Sequence, residues 1–168
     1  MNMRDQLLRL TRGAAQVISE AELAEKLRGN RPLRVKLGVD PTSADLHLGH
    51  TIILRKLREF QELGHQAVLI IGDFTALIGD PSGRSATRPT ITREEVDRNA
   101  ATYREQAFKI LDQSRTEIVY NGSWLGKLSF EDVIRLNGKV TLQQLLQRED
   151  FRERIKNEQP IHAHEIQY

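Results

Sequence analysis

The sequence predicts an α/β fold in which helices flank a parallel sheet. Three observations carry this: an alternating strand at residues 33–39, an unbroken apolar run at Ala67–Ile71, and a helical pattern between them. Two strands joined by a helix in roughly forty residues form a βαβ unit. Its crossover is expected to be right-handed.

The elements follow in order. Leu7, Leu8 and Leu10 mark a helical stretch that breaks at Thr11–Gly13. Ser19 stands before Glu20 and Glu22, an N-cap with acids in the first turn. That helix carries Ala21, Leu23, Ala24 and Leu27, and Gly29-Asn30 ends it. Pro32 opens a strand in which Leu33, Val35, Leu37 and Val39 alternate with Arg34, Lys36 and Gly38. After a loop at residues 40–45, Ile53, Leu57 and Phe60 recur at helical spacing with Leu54 beside them. Arg55, Lys56, Arg58 and Glu59 are expected to face out, and Gly64 sits where a C-cap glycine belongs. The run inside Gln66–Asp73 suits a strand covered on both faces. Residues 72–90 read as loop. Thr92, with Glu94 and Glu95 behind it, caps a long helix expected to reach Leu111. Thr116–Tyr120 reads as a third strand, followed by short helices near Phe130–Leu136, Thr141–Gln147 and Asp150–Lys156. No internal repeat or low-complexity stretch interrupts the pattern.

Composition narrows the function classes. A chain of 168 residues fits one ordinary domain, and 39% apolar with 29% charged residues marks it as globular rather than disordered. A net charge of +2 makes no strong field for nucleic acid. The absence of cysteine excludes disulfides, thiolate metal sites and a cysteine nucleophile. The first residues lack the apolar core of a signal peptide, and no apolar run approaches membrane-spanning length, so a cytoplasmic protein is expected.

The sharpest local feature is His47-Leu48-Gly49-His50, just after a strand and at the opening of a helix. Residues three apart share a helix face, so both imidazoles can point at one ligand. The helix N-terminus adds unpaired N–H groups that favour a phosphate. Gly49 removes a side chain where a flat ligand can lie against the backbone. Fixed imidazole donors can stabilise charge building on phosphate oxygens in nucleotidyl transfer. Two bland readings stand beside this: a metal site, for which no nearby third ligand is present, or solvated helix residues. The second feature is Gly72–Arg88, where glycines surround Asp80 on the same carboxyl edge of the sheet, the edge at which α/β sheets bind ligands. Asp80 can hold an ammonium group, and Arg84 and Arg88 can meet phosphates. Alternatively, Asp80-Pro81-Ser82-Gly83 is a type I turn.

Residues 40–50, from Asp40-Pro41-Thr42 to His50, resemble the "HIGH" region of class I aminoacyl-tRNA synthetases. The stretch Gly72-Asp73-Phe74-Thr75-Ala76-Leu77-Ile78-Gly79-Asp80-Pro81-Ser82-Gly83-Arg84 narrows the resemblance to bacterial tyrosyl-tRNA synthetases. It covers residue 33 to the end and implies the N-terminal half of a doubly wound, Rossmann-like sheet of the HIGH-type nucleotidyltransferases. It also implies two steps: tyrosine and ATP give tyrosyl-adenylate and pyrophosphate, then the tyrosyl group moves to tRNA-Tyr. By motif position His47, His50 and Thr42 would act on the ATP phosphates in the transition state. Pro41, Gly49, Arg84 and Arg88 would complete the ATP site. Gly38 and Asp40 would line the tyrosine and adenosine pocket. Asp80 would hold the α-amino group, with Thr75 nearby and Tyr168 contacting it. ATP is expected as substrate, with Mg2+ held mainly by phosphates and water and no tightly bound cofactor.

Three regions are expected: a helical segment at 1–32, read from the residues themselves, and, as the resemblance implies, the first half of the nucleotide fold at 33–120 and a helical insertion and dimer-interface segment at 121–168. Homodimer contact is expected within about 120–160, through Trp124, Leu125, Phe130, Leu142, Leu145 and Leu146; intrachain packing is the alternative. Two departures stand out. Lys36 occupies the position where many members carry the tyrosine that bonds the substrate phenol, and it resembles another bacterial branch. The only methionines are Met1 and Met3, so the sequence holds no Lys-Met-Ser-Lys-Ser-type loop, and an incomplete synthetase is expected. Such a piece should leave the first strand with an open edge, be marginal, self-associate or need a partner, and catalyse little exchange alone. The competing functions are a small HxGH-type nucleotidyltransferase and a non-catalytic synthetase fragment.

Overall fold

The computed structural model describes residues 2–29, 31–79 and 91–167. Helix α1 (Met3–Thr11) starts at Asn2, whose side chain accepts from Asp5 N, and α2 (Glu20–Arg28) starts at the expected Ser19 cap. Strand β1 (Arg34–Val39) begins one residue later than the alternation suggests, because Leu33 N–H donates to His65 Nδ1 at 3.2 Å instead of to a strand. Helix α3 (Leu48–Glu62) and strand β2 (Gln66–Ile71) follow, joined through Gly64 at φ +92, where His65 N–H reaches back to Phe60 O at 3.0 Å. A short helix α4 (Thr75–Ile78) occupies part of the stretch read as loop. Helix α5 (Arg93–Ala107) opens on a capping box between Thr92 and Glu95, and a 3-10 turn at Gln113–Arg115 leads to β3 (Thr116–Tyr120). Five short helices follow: α6 (Gly122–Leu125), α7 (Phe130–Asn137), α8 (Leu142–Leu145), α9 (Glu149–Lys156) and α10 (Ala163–Gln167).

The three described strands pair in parallel in the order β1-β2-β3. In this register Leu37, Leu69 and Ile118 lie side by side, as do Val39, Ile71 and Tyr120. Strands advancing in one direction with crossovers of one hand put both connecting helices on one face of the sheet. The core agrees: Leu54 and Leu57 of α3 and Ala100, Tyr103 and Ala107 of α5 share one cluster with Ala67, Leu69 and Ile71.

Three expectations need correction. The buried stripe of α3 is Leu54, Leu57 and Gln61, whereas Ile53 is 52% exposed, so the core-facing side is rotated from the one read through Ile53. Lys56, Arg58 and Glu59 are half-buried rather than facing out, because α1 and its C-cap lie against Lys56 and Glu59 while Arg58 faces Glu62 and Asp112. Lys56 Nζ donates to the carbonyls of Arg9 and Arg12 at the C-terminal end of α1, and Arg9 pairs with Glu62. Helix α5 stops at Ala107, four residues before Leu111, because the chain tightens there to three-residue turns, with Lys109 N–H on Gln106 O and Ile110 N–H on Ala107 O; the segment beyond is held by Gln61. Its Nε2 donates to Asp112 O and Arg115 O and its Oε1 accepts from Asp112 N, which turns the chain into β3.

Candidate functional site

The carboxyl ends of the three strands converge on one polar network. Asp40 leaves β1, Gly72 and Asp73 leave β2, and Asn121 leaves β3. Thr75 Oγ1 donates to Asp40 Oδ1 at 2.8 Å and accepts from Asn121 Nδ2 at 2.9 Å. Asn121, itself buried, accepts from Phe74 N at 3.0 Å. Asp73 accepts from Gly122 N at 2.8 Å and meets Arg93 at 3.2 Å. Only glycine fits at position 72, since a Cβ there would stand 1.8 Å from Asp40 Oδ1. The resemblance singles out Asp40 and Thr75 separately, and the bond between them is visible only in the structure. Asn121 was missed, although a polar residue directly behind TEIVY, on the ligand-binding edge, is a usable signal.

His47 is the N-cap of α3, with extended backbone at φ −92 and ψ 171. It therefore meets His50 by reciprocal capping, not by sharing a helix face. Gly49 N–H donates to His47 Nδ1 at 3.1 Å, and His47 N–H donates to His50 Nδ1 at 3.2 Å. The rings lie 4.0 Å apart. Because each Nδ1 accepts, each neutral ring carries its proton on Nε2 and presents that N–H as its remaining donor. Burial, then the neighbouring His47, lowers the His50 pKa below its ordinary 6.5, favouring the neutral donor. Gly49 also has a reason the sequence did not give: a Cβ would lie 2.9 Å from His47 Cε1 and push the ring out of its cap.

A largely apolar cavity of about 290 Å³ brings Gly38, Asp40 and His50 together with Leu46, Tyr103 and Ala107. An added Cβ at Gly38 would meet open space, so the glycine widens this cavity. Lys36 is exposed on the strand two residues earlier. Thr42 is exposed, and its N–H donates to Asp40 O at 2.8 Å. Pro41 is fully buried and offers a ligand no ring surface, while its carbonyl accepts from Asn99. Asp80, Arg84, Arg88 and Tyr168 lie outside the described residues.

Residues 28–168 match the family model of class I tRNA synthetases (W and Y). The chain belongs to that family. The sequence is 55% identical to the tyrosine–tRNA ligase of Haemophilus influenzae, over 96% of this chain and 40% of that protein. It is 54% identical to the one of Mannheimia succiniciproducens, over 96% of this chain and 41% of that protein. The chain thus spans about two fifths of the length of the curated relatives it matches. Among solved structures, the C-terminally truncated mitochondrial tyrosyl-tRNA synthetase of Coccidioides posadasii superposes with a TM-score of 0.74 at 23% identity, covering 99% of this chain and 48% of that one. The Archaeoglobus fulgidus tyrosyl-tRNA synthetase complexed with L-tyrosine gives 0.71 at 22% identity, covering 96% and 46%. Both likenesses support the class I synthetase fold, a parallel sheet flanked by helices.

Proposed function

We propose that this chain supplies the part of a tyrosine–tRNA ligase that grips ATP and tyrosine while tyrosyl-adenylate forms. The observation that carries the reading is the reciprocally capped pair His47 and His50, with His50 on the same cavity as Gly38 and Asp40. In the first step a carboxylate oxygen of tyrosine attacks the α-phosphorus of ATP, and the bond to the bridging oxygen of pyrophosphate breaks. Negative charge moves onto phosphate oxygens as this happens. The Nε2–H groups of His47 and His50, with the Thr42 hydroxyl beside the loop, donate to those oxygens more strongly in the transition state than before it. No covalent bond to the protein is needed. Asp40, held by Thr75, stays an acceptor for hydroxyl or ammonium groups. Gly49, Arg84 and Arg88 complete the ATP side, and the buried Pro41 shapes the loop that carries Thr42. Lys36, Gly38, Asp80 and Tyr168 complete the tyrosine side, and Mg2+ rides on the phosphates.

The tyrosyl group then passes to tRNA-Tyr, in the cytoplasm. The helices beyond β3 make a homodimer contact, since Trp124, Phe130, Ile134 and Leu142 leave apolar surface exposed along them.

The test is a chimera in which this chain replaces the matching 162 residues of the Haemophilus influenzae ligase. Tyrosine-dependent exchange of labelled pyrophosphate into ATP is the expected result. A folded chimera that binds tyrosine and shows no exchange would contradict the reading.

A further inference from the structure

We infer that one polar face of α5 aims the histidine pair, which makes Asn99, Thr102, Tyr103 and Gln106 positioning residues of the site. What the site serves rests on the reading above; the positioning does not. The four residues fall at i, i+3, i+4 and i+7, the spacing of a single helix stripe. Each of them bonds the loop at residues 41–46, which has no helix or strand of its own. Asn99 Nδ2 donates to Pro41 O at 3.0 Å. The Tyr103 hydroxyl lies 3.2 Å from Ser43 Oγ, and its ring stands edge-on to His50 at 6.3 Å. Thr102 Oγ1 donates to Ala44 O. Gln106 makes the bracket: its Nε2 donates to Ala44 O at 3.0 Å and its Oε1 accepts from Leu46 N at 2.8 Å.

Leu46 is the residue directly before the His47 cap. Thr42, Ser43, Ala44 and Asp45 are exposed, so their own surroundings do little to fix them. A cap needs a fixed entry of the chain, because its side chain must meet N–H groups whose directions the helix has already set. Gln106 supplies that entry by bonding the two backbone groups that a neighbouring strand would otherwise bond. The histidine tautomers therefore depend on a helix that touches neither His47 Nδ1 nor His50 Nδ1.

The experiment uses the 168-residue chain labelled with 15N at histidine, with imidazole nitrogen shifts as the readout. In the unaltered chain His47 and His50 show the Nε2–H pattern. Gln106→Glu keeps the size but sets a carboxylate against Ala44 O. It is expected to move both rings toward an average of the two tautomers while the core amide signals stay in place. Thr102→Val, which preserves shape and removes one donor, gives a smaller shift of the same kind. Glu105→Gln, on the exposed side of α5, gives none. An unchanged Nε2–H pattern in both Gln106→Glu and Thr102→Val overturns the inference. So does an unfolded Gln106→Glu beside an unchanged pattern in Thr102→Val. Titration with ATP separates the two questions: an unaltered chain that binds no ATP counts against the functional reading, and the tautomer shifts still decide the positioning.

Discussion

His50 and His47 are held by backbone N–H groups, so their chemistry at neutral pH is a consequence of helix capping. Burial beside His47 lowers the His50 pKa from 6.5. Folding keeps the ring neutral, so its contribution to stability is complete above pH 6.5 and is lost as pH falls below that value toward the lowered folded pKa. Nitrogen shifts followed against pH are expected to place the His50 midpoint below 6.5. Glycine identity is equally strict nearby. Gly72→Ala would set a Cβ 1.8 Å from Asp40 Oδ1 and is expected to cost roughly 2–4 kcal/mol in denaturant unfolding, by overpacking and loss of the Thr75 bond. The sequence made His47, Gly49, His50, Asp40 and Thr75 legible through motif and position. It did not reveal the reciprocal caps, since ring rotamers depend on contacts no one-dimensional pattern records.

Helix α3 shows how a polar residue can serve as core. Gln61 is 1% exposed and lies on the stripe of Leu54 and Leu57, yet it bonds both backbone groups of Asp112. Gln61→Leu keeps the bulk but strands these groups, and urea unfolding is expected to show a loss of roughly 2–4 kcal/mol. Gln61 stands at the helical spacing, seven residues along from Leu54 with Leu57 three along, but its polar type removes it from an apolar pattern. Strand β3 and the caps of α2 and α5 were readable from local signals at Ser19, Thr92 and TEIVY. The end of α5 was not, because the apolar spacing runs on through Leu111 while the backbone already tightens to three-residue turns after Ala107. Helix α10 is tied to α9 by a side-chain pair. Glu165, 2% exposed, pairs with Arg154 and accepts from His162 N at 2.8 Å. The Arg154 bond is the main cause that lowers its pKa from 4.5 to about 2. The stabilisation is present above pH 4.5 and is lost as pH falls toward 2. Glu165→Gln is expected to flatten that acid limb of the stability curve; an unchanged limb would show the pair to be idle.

Across the chain, buried contacts gather between the sheet, α3 and α5, while apolar surface remains open elsewhere. Phe130 is 80% exposed, Ile134 55% and Leu142 54%, and β1 pairs only with β2 among the described strands. An open strand edge and a patch of this kind favour association. Sedimentation is expected to show concentration-dependent self-association, and Phe130→Asp with Ile134→Asp to reduce it. The α/β class was legible because a buried parallel strand and its crossover are local signals. Of the residues the resemblance implies for a contact surface, Trp124, Phe130 and Leu142 are exposed, whereas Leu125, Leu145 and Leu146 are half-buried, nearer to the intrachain packing that periodicity alone predicts. Transient kinetics of tyrosyl-adenylate formation in the chimera test most directly whether the two capped imidazoles stabilise the transferring phosphate. His47→Ala and His50→Ala are each expected to slow the chemical step roughly a hundred-fold with tyrosine affinity nearly unchanged. An unchanged chemical step in both variants would contradict the account.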